Sequence, residues 1–149
     1  MMFKTHLIFS VLIGLVLVNH IQVNKYLSIF LVIIGSSLPD IDNPKSKIGR
    51  RLPLVSDVVN IFSSHRGIFH SLFPVIGLMI IFIVYNQIYL FALSIGYLSH
   101  LFLDSLTKTG INYFHPFQLF TVKGVVKTGS FFEFIIFICL TTITAIYIF

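Results

Sequence analysis

The chain alternates between long apolar runs and short polar connections. Five apolar runs stand out, at residues 6–18, 26–38, 71–85, 88–103 and 131–149. A straight helix needs about 20 residues to cross the hydrocarbon core of a bilayer. Several of these runs are shorter, so their flanks must extend the helices or the bilayer must be locally thin.

This pattern predicts an all-α fold, a polytopic bundle of four to five transmembrane helices. Residues 1–149 are expected to form a single integral membrane domain. Asn86 and Gln87 predict a tight turn, so the third and fourth runs should form a helical hairpin. Two polar connections remain, at residues 39–70 and 104–130, and neither carries an internal repeat.

Composition supports a membrane protein. The chain is 56% hydrophobic and 10% charged, whereas soluble domains carry about 25% charged residues. The net charge is +5, but the basic residues lie between the apolar runs. They therefore indicate membrane topology, and no nucleic-acid partner is expected. Cys139 is the single cysteine, which excludes an intramolecular disulfide and a zinc site built from cysteines.

The placement of Lys and Arg predicts the orientation, because loops rich in these residues stay in the cytoplasm. With a cytoplasmic N-terminus and five crossings, nine of the ten Lys and Arg residues lie inside. Only Lys25 lies outside. The sequence thus predicts a multi-pass protein of the cell membrane whose N-terminus is cytoplasmic.

The same topology gathers histidines and carboxylates at the cytoplasmic end of the bundle. These residues are His6, His65, His70, His100, His115, Asp40, Asp42, Asp104 and Glu133. His20 lies at the other end. Lys and Arg alone determine this topology, so the clustering of histidines and carboxylates at one end is independent of it.

His100 and Asp104 are four residues apart, so on a helix they project from one face. His100 is expected inside the inner part of the bilayer, where ionisable side chains are costly and usually functional. Asp40 and Asp42 follow Pro39, which should end the helix and leave both on extended chain. Imidazole and carboxylate together are a ligand set for zinc, with manganese and iron as alternatives.

Four motifs carry a family resemblance. They are Thr5-His6, SSLPDID at 36–42, HRGIFHS at 65–71 and GYLSHLFLDSLTKTGINYFHP at 96–116. In this order they resemble the YdjM-like membrane-bound metal-dependent hydrolases. The resemblance implies a hydrolase of the cytoplasmic membrane with a metal at its His and Asp positions. The order of ligands is also remotely similar to zinc-dependent phospholipase C and related nucleases, which implies a phosphoester substrate.

These observations assign candidate roles. The predicted metal ligands are His6, Asp40, His65, His70, His100 and Asp104. Asp42 is the candidate general base, because a carboxylate that does not bind the metal can take a proton from metal-bound water. Arg66 is the candidate clamp for an anionic group. His115 and Glu133 are weaker candidates. The expected partners are membrane lipids and a phospholipid or other phosphoester substrate, and nothing in the sequence points to a protein partner.

Two alternative functions stay open. Ionisable residues within a membrane also mark ion pathways, so a metal or ion transporter is one alternative. The cluster is one-sided, however, and a transporter needs access from both sides. The other alternative is a non-catalytic membrane protein whose metal site only holds loops together.

Overall fold

The computed structural model describes residues 1–21, 24–62, 67–117 and 120–148, without the side chains of residues 61 and 62. Within these ranges the chain forms six α-helices and no extended strand. The helices are α1 (Phe3–Val18), α2 (Lys25–Ser37), α3 (Pro53–Phe62), α4 (Phe73–Tyr85), α5 (Ile88–Ser105) and α6 (Phe131–Ile148). The predicted all-α class is confirmed.

The helix ends follow local chemistry. The side chain of Asn24 caps α2 by accepting a hydrogen bond of 3.0 Å from the Leu27 backbone N–H, as Asn commonly does at this position. At the end of α4, Asn86 adopts the left-handed conformation with φ of 51°, and α5 begins two residues later. The predicted hairpin of the third and fourth apolar runs is therefore confirmed, since α4 and α5 also pack against each other.

Two glycines let α2 and α5 approach until their backbones touch. A Cβ atom on Gly35 would lie 2.0 Å from the Leu93 carbonyl oxygen, and one on Gly96 would lie 2.1 Å from the Val32 carbonyl oxygen. Neither distance is possible for a real side chain. Small residues at contacts between helices permit such close packing, especially in membrane proteins.

The core lies beside this contact. Val75, Tyr97, Leu101 and Ile111 form a buried cluster that joins α4 and α5 to the connection after α5. The Tyr97 hydroxyl donates a hydrogen bond of 2.5 Å to the Phe69 carbonyl oxygen. This bond attaches the short segment before α4 to the middle of α5. Helix α1 packs on α2 and α5, and its other side contacts α6.

The described parts of the connection at 39–70 contain more helical structure than the sequence suggested. Pro39–Asp42 forms one turn of 3₁₀ helix, and Ile68–His70 forms another. The expectation that Asp40 and Asp42 lie on extended chain was therefore wrong: proline ends α2 but is well suited to the first turn of a new helix. Helix α3 was also missed, because its ten residues fall within a connection classed as polar.

Helices α5 and α6 are the described helices that are long and apolar enough to cross a membrane. Each has 18 residues, which gives about 27 Å at 1.5 Å per residue. In α6 only Glu133 and Thr144 are buried, and most of its apolar side chains are exposed. Helices α1, α2 and α4 have 16, 13 and 13 residues, and the predicted four to five spans stay a prediction for them.

We expect Gly35→Ala to destabilise the protein, because the new methyl group would meet backbone atoms of α5 that cannot move aside alone. Overpacking of this kind costs about 1–3 kcal/mol. The matched control is Gly77→Ala on α4, where no described atom beyond the neighbouring backbone of the same helix lies within 4 Å of the new Cβ. Thermal unfolding in detergent should show a lower Tm for Gly35→Ala and an unchanged or slightly higher Tm for Gly77→Ala. Equal Tm values would contradict the close contact of α2 and α5.

Candidate metal site

Five of the predicted ligands converge from separate parts of the chain. His6 comes from the first turns of α1, Asp40 from the 3₁₀ turn after α2, and His70 from the 3₁₀ turn before α4. His100 and Asp104 come from the last turns of α5. Two sets of three offer ligand atoms within 4.8 Å of one another. The sets are His6, His100 and Asp104, and Asp40, His70 and His100.

The distances between ligand atoms suit a shared metal ion. His100 Nε2 lies 3.9 Å from Asp104 Oδ2 and 4.0 Å from Asp40 Oδ1. His70 Nε2 lies 3.9 Å from the same Asp104 oxygen. Ligands at about 2.1 Å from a tetrahedral zinc ion are about 3.4 Å apart. Small side-chain movements would therefore bring these atoms to bonding distance.

Asp104 faces different histidines with its two oxygens. Oδ2 faces His70 and His100, while Oδ1 lies 3.3 Å from His6 Nε2. The His6 ring stacks on the His100 ring with centroids 4.0 Å apart. The Met1 amino group also contacts Asp104 Oδ1. Asp104 thus connects every histidine of the cluster.

The orientation of His100 leaves its inner nitrogen available for a metal. Its Nδ1 lies 2.7 Å from the Ser36 carbonyl oxygen, which can only accept, so Nδ1 carries the proton. Nε2 then holds a lone pair, and among the described residues it has no hydrogen-bond partner although it is buried. Metal-binding histidines commonly donate their other N–H to a carbonyl or carboxylate in this way. The chemistry of this donor set therefore fits a divalent metal.

Asp42 contacts the Nδ1 side of the His70 ring. It is fully buried, and its Oδ2 lies 3.0 Å from His70 Nδ1. An ionised carboxylate accepts hydrogen bonds only, so this contact places the proton on Nδ1 and directs Nε2 toward Asp104. The sequence alone did not show whether Asp42 orients a histidine or acts as a general base, because its partner His70 lies 28 residues away in the chain.

Asp40 is the least enclosed member of the cluster, with 22% of its side chain exposed. Burial raises the pKa of Asp40 above its ordinary value, and the neighbouring His6 and His70 act in the opposite direction. A raised pKa means that Asp40 holds its proton to higher pH. Because a metal binds the carboxylate form, affinity for the metal should fall as the pH falls.

Two weaker candidates lie apart from the cluster. Glu133 is fully buried and accepts hydrogen bonds from the Thr5 hydroxyl at 3.1 Å and the Gly129 backbone N–H at 2.7 Å. The bond from Thr5 fastens α6 to α1, and Glu133 belongs to neither set of candidate metal ligands. His115 lines a different cavity with Asn112. His65 and Arg66 lie outside the described residues, and their predicted roles stay predictions.

A polar cavity of about 220 Å³ opens beside the cluster. His6, Asp40 and Asp104 line it, together with Phe3 and Lys47. The cavity gives the ligands access to solvent and to a molecule of modest size. Lys47 belongs to the basic run at residues 45–51, which the sequence predicts as a topology signal and a group able to hold an anionic group such as a phosphate. The structure adds that, within this run, Lys47 lines the cavity beside the histidines.

Comparison with known proteins identifies the family. The family model described as "YdjM inner membrane protein" matches residues 1–148. The chain belongs to the YdjM family. Its members include inner membrane proteins, which agrees with the candidate spans α5 and α6.

Two relatives illustrate the similarity. The chain is 35% identical over 117 residues to the uncharacterized protein YvsG of Bacillus subtilis (strain 168), covering 76% of this chain and 73% of YvsG. It is 38% identical over 88 residues to the inner membrane protein YdjM of Escherichia coli (strain K12). That match covers 53% of this chain and 44% of the relative, so it spans less than half of that protein. No solved structure matches the chain.

We expect detergent-purified protein to bind a divalent metal through this cluster. His100→Ala should lose it, because this residue belongs to both sets of ligands. Elemental analysis after dialysis against zinc would measure the metal content per chain. His20→Ala, outside the cluster, is the control and should retain the wild-type content. Equal metal in wild type and His100→Ala would contradict the site.

Proposed function

We propose that this YdjM-family protein is a metal-dependent hydrolase whose site lies at the cytoplasmic face of the membrane. The observation that carries the proposal is the buried His100 Nε2, which has no hydrogen-bond partner among the described residues and faces two carboxylates at 3.9 and 4.0 Å. Buried polar atoms are rarely left without a partner. A metal ion would satisfy this nitrogen and offset the cost of burying the carboxylates.

His70, His100, Asp40 and Asp104 would hold the metal, with His6 at the edge of the site. Zinc is the leading candidate because the ligands are imidazoles and carboxylates, and manganese and iron are the alternatives. When bound, such an ion supplies Lewis-acid polarisation of a substrate and a nucleophilic water at neutral pH. The adjoining cavity supports a catalytic site over a closed structural one, since a substrate must reach the metal.

The protein's own residues then divide the remaining tasks. In this proposal Asp42 is a positioning residue for His70 in place of the general base first assigned to it, because it is enclosed behind the ring. Lys47 lines the cavity and is placed to hold an anionic group. Arg66 keeps its assignment as a second clamp. A phosphoester is accordingly the proposed substrate class, and a phospholipid is the version that suits a membrane enzyme.

The activity is tested with a panel of phosphomonoesters and phosphodiesters, assayed with the full chain in detergent after zinc or manganese is added. We expect hydrolysis by wild type and a loss of at least 100-fold in His100→Ala. Asp42→Asn should weaken metal binding by about 10–100-fold, as is typical when a residue that hydrogen-bonds to a metal ligand is replaced. This variant should regain turnover at high metal concentration. Asp57→Asn is the matched control, because Asp57 is exposed on α3. A metal-loaded protein that hydrolyses no member of the panel would refute the phosphoester proposal.

We also propose that α1, α2 and α4 cross or enter the bilayer and that the N-terminus is cytoplasmic. The support is the distribution of Lys and Arg, which favours a cytoplasmic N-terminus. In that topology the residues of the metal site lie on the cytoplasmic side as well. Single cysteines can be introduced at positions 4 and 25 in a Cys139→Ser background. In intact cells, a membrane-impermeant maleimide should label position 25 and spare position 4. The reverse pattern would overturn the orientation.

A further inference from the structure

A second, larger cavity lies next to the metal site. It has a volume of about 500 Å³, within the range of about 300–1,000 Å³ that is typical of small-molecule sites. Its walls come from α1, α2 and the segment that leads to α3, through apolar side chains such as Leu7, Ile34 and Ile48. No side chain of the described residues occupies this apolar space.

The two cavities share a wall. Phe3, in the first turn of α1, lines both the polar cavity at the metal site and the apolar cavity. Lys47 lines the polar cavity, and its Nζ lies 5.0 Å from the centre of the Phe3 ring. An elongated molecule that passes Phe3 would therefore have one end beside the metal ligands and the other among apolar side chains.

Charge at the apolar cavity indicates what kind of molecule fits. Arg51 is the charged residue among its lining side chains, whereas the carboxylates of the metal cluster border the other cavity. The neighbouring Arg50 is turned back on its own loop, where its Nε donates a hydrogen bond of 3.3 Å to the Ser46 carbonyl oxygen. Arg51 and Lys47 thus place positive charge along the path between the cavities.

We propose that the two adjoining cavities bind an anionic single-chain amphiphile, with its acyl chain in the apolar cavity and its phosphate held by Lys47 and Arg51 where the cavities meet. This proposal rests on the proposed function, and it narrows the substrate from phosphoesters in general to those that carry an acyl chain. The chain and the phosphate are recognised by separate residues, so each contribution can be removed alone.

The test uses oleoyl lysophosphatidate bound to the full chain in detergent, with affinity measured by native mass spectrometry. Ile34→Trp fills the apolar cavity and should weaken binding at least tenfold. Ile83→Trp is the matched control, because Ile83 lies on α4 and is 72% exposed. Ile48→Trp is a second cavity-filling variant, and its position is outside any helix, in the loop before α3. Tm measurements identify variants that fold normally.

The charge contribution is tested in the same way. Arg51→Gln should weaken binding several-fold, while Arg50→Gln should leave it unchanged. Wild type should also prefer oleoyl lysophosphatidate to oleoyl lysophosphatidylcholine, whose headgroup has no net charge. The inference would be overturned if folded Ile34→Trp and Ile48→Trp bound the probe as tightly as wild type does. It would also be overturned if wild type showed no preference for the anionic headgroup.

The outcomes separate this inference from the hydrolase proposal. Binding is measured with and without a chelator, and metal content is measured on the same samples. Probe binding that depends on Ile34 and Arg51 in a protein without metal or turnover would support the lipid site and refute the hydrolase. The opposite result is a metal-loaded protein that hydrolyses short-chain and long-chain phosphoesters equally well, with no change in Ile34→Trp. That result would support the hydrolase and refute the lipid site.

Discussion

The contact between α2 and α5 is the constraint on which the rest of the structure depends. Gly35 and Gly96 bring the two backbones together where any side chain would collide. Gly35 precedes Ser36, and Gly96 lies one helical turn before His100. The close approach is therefore what brings the Ser36 carbonyl oxygen within 2.7 Å of His100 Nδ1 and fixes the direction of the imidazole. Packing at the centre of the bundle thus sets the chemistry of the site.

The site concentrates an unusual number of ionisable side chains in a small volume. His6, His70, His100, Asp42 and Asp104 are all buried. Burying charge is costly unless it is paired or bound to a metal. Asp42 and Ser36 account for the outer nitrogens of two histidines, and the inner nitrogens face carboxylates. Such an arrangement is costly as a purely structural core, whereas a bound cation would turn the same groups into favourable contacts.

The location of the site is also informative. Its ligands come from helix ends and from the 3₁₀ turns between helices, so they lie at one end of the bundle. On one side of Phe3 a polar cavity reaches the ligands, and on the other side an apolar cavity runs along α1 and α2. This juxtaposition would suit the proposed enzyme, because an amphiphile would keep its acyl chain in the apolar cavity while its polar end lies beside the metal ligands.

The sequence by itself determined the apolar helices, the turn at Asn86 and the i, i+4 pair His100 and Asp104, because these features depend on neighbours within a few residues. Placement of Lys and Arg also indicated that most histidines and carboxylates share one end of the bundle. Only the tertiary structure decided that Asp42 supports His70, that Glu133 fastens α6 to α1, and that Phe3 lines two cavities. Those roles depend on contacts between residues far apart in the chain, and a local pattern carries no record of which distant side chain will fill a given space.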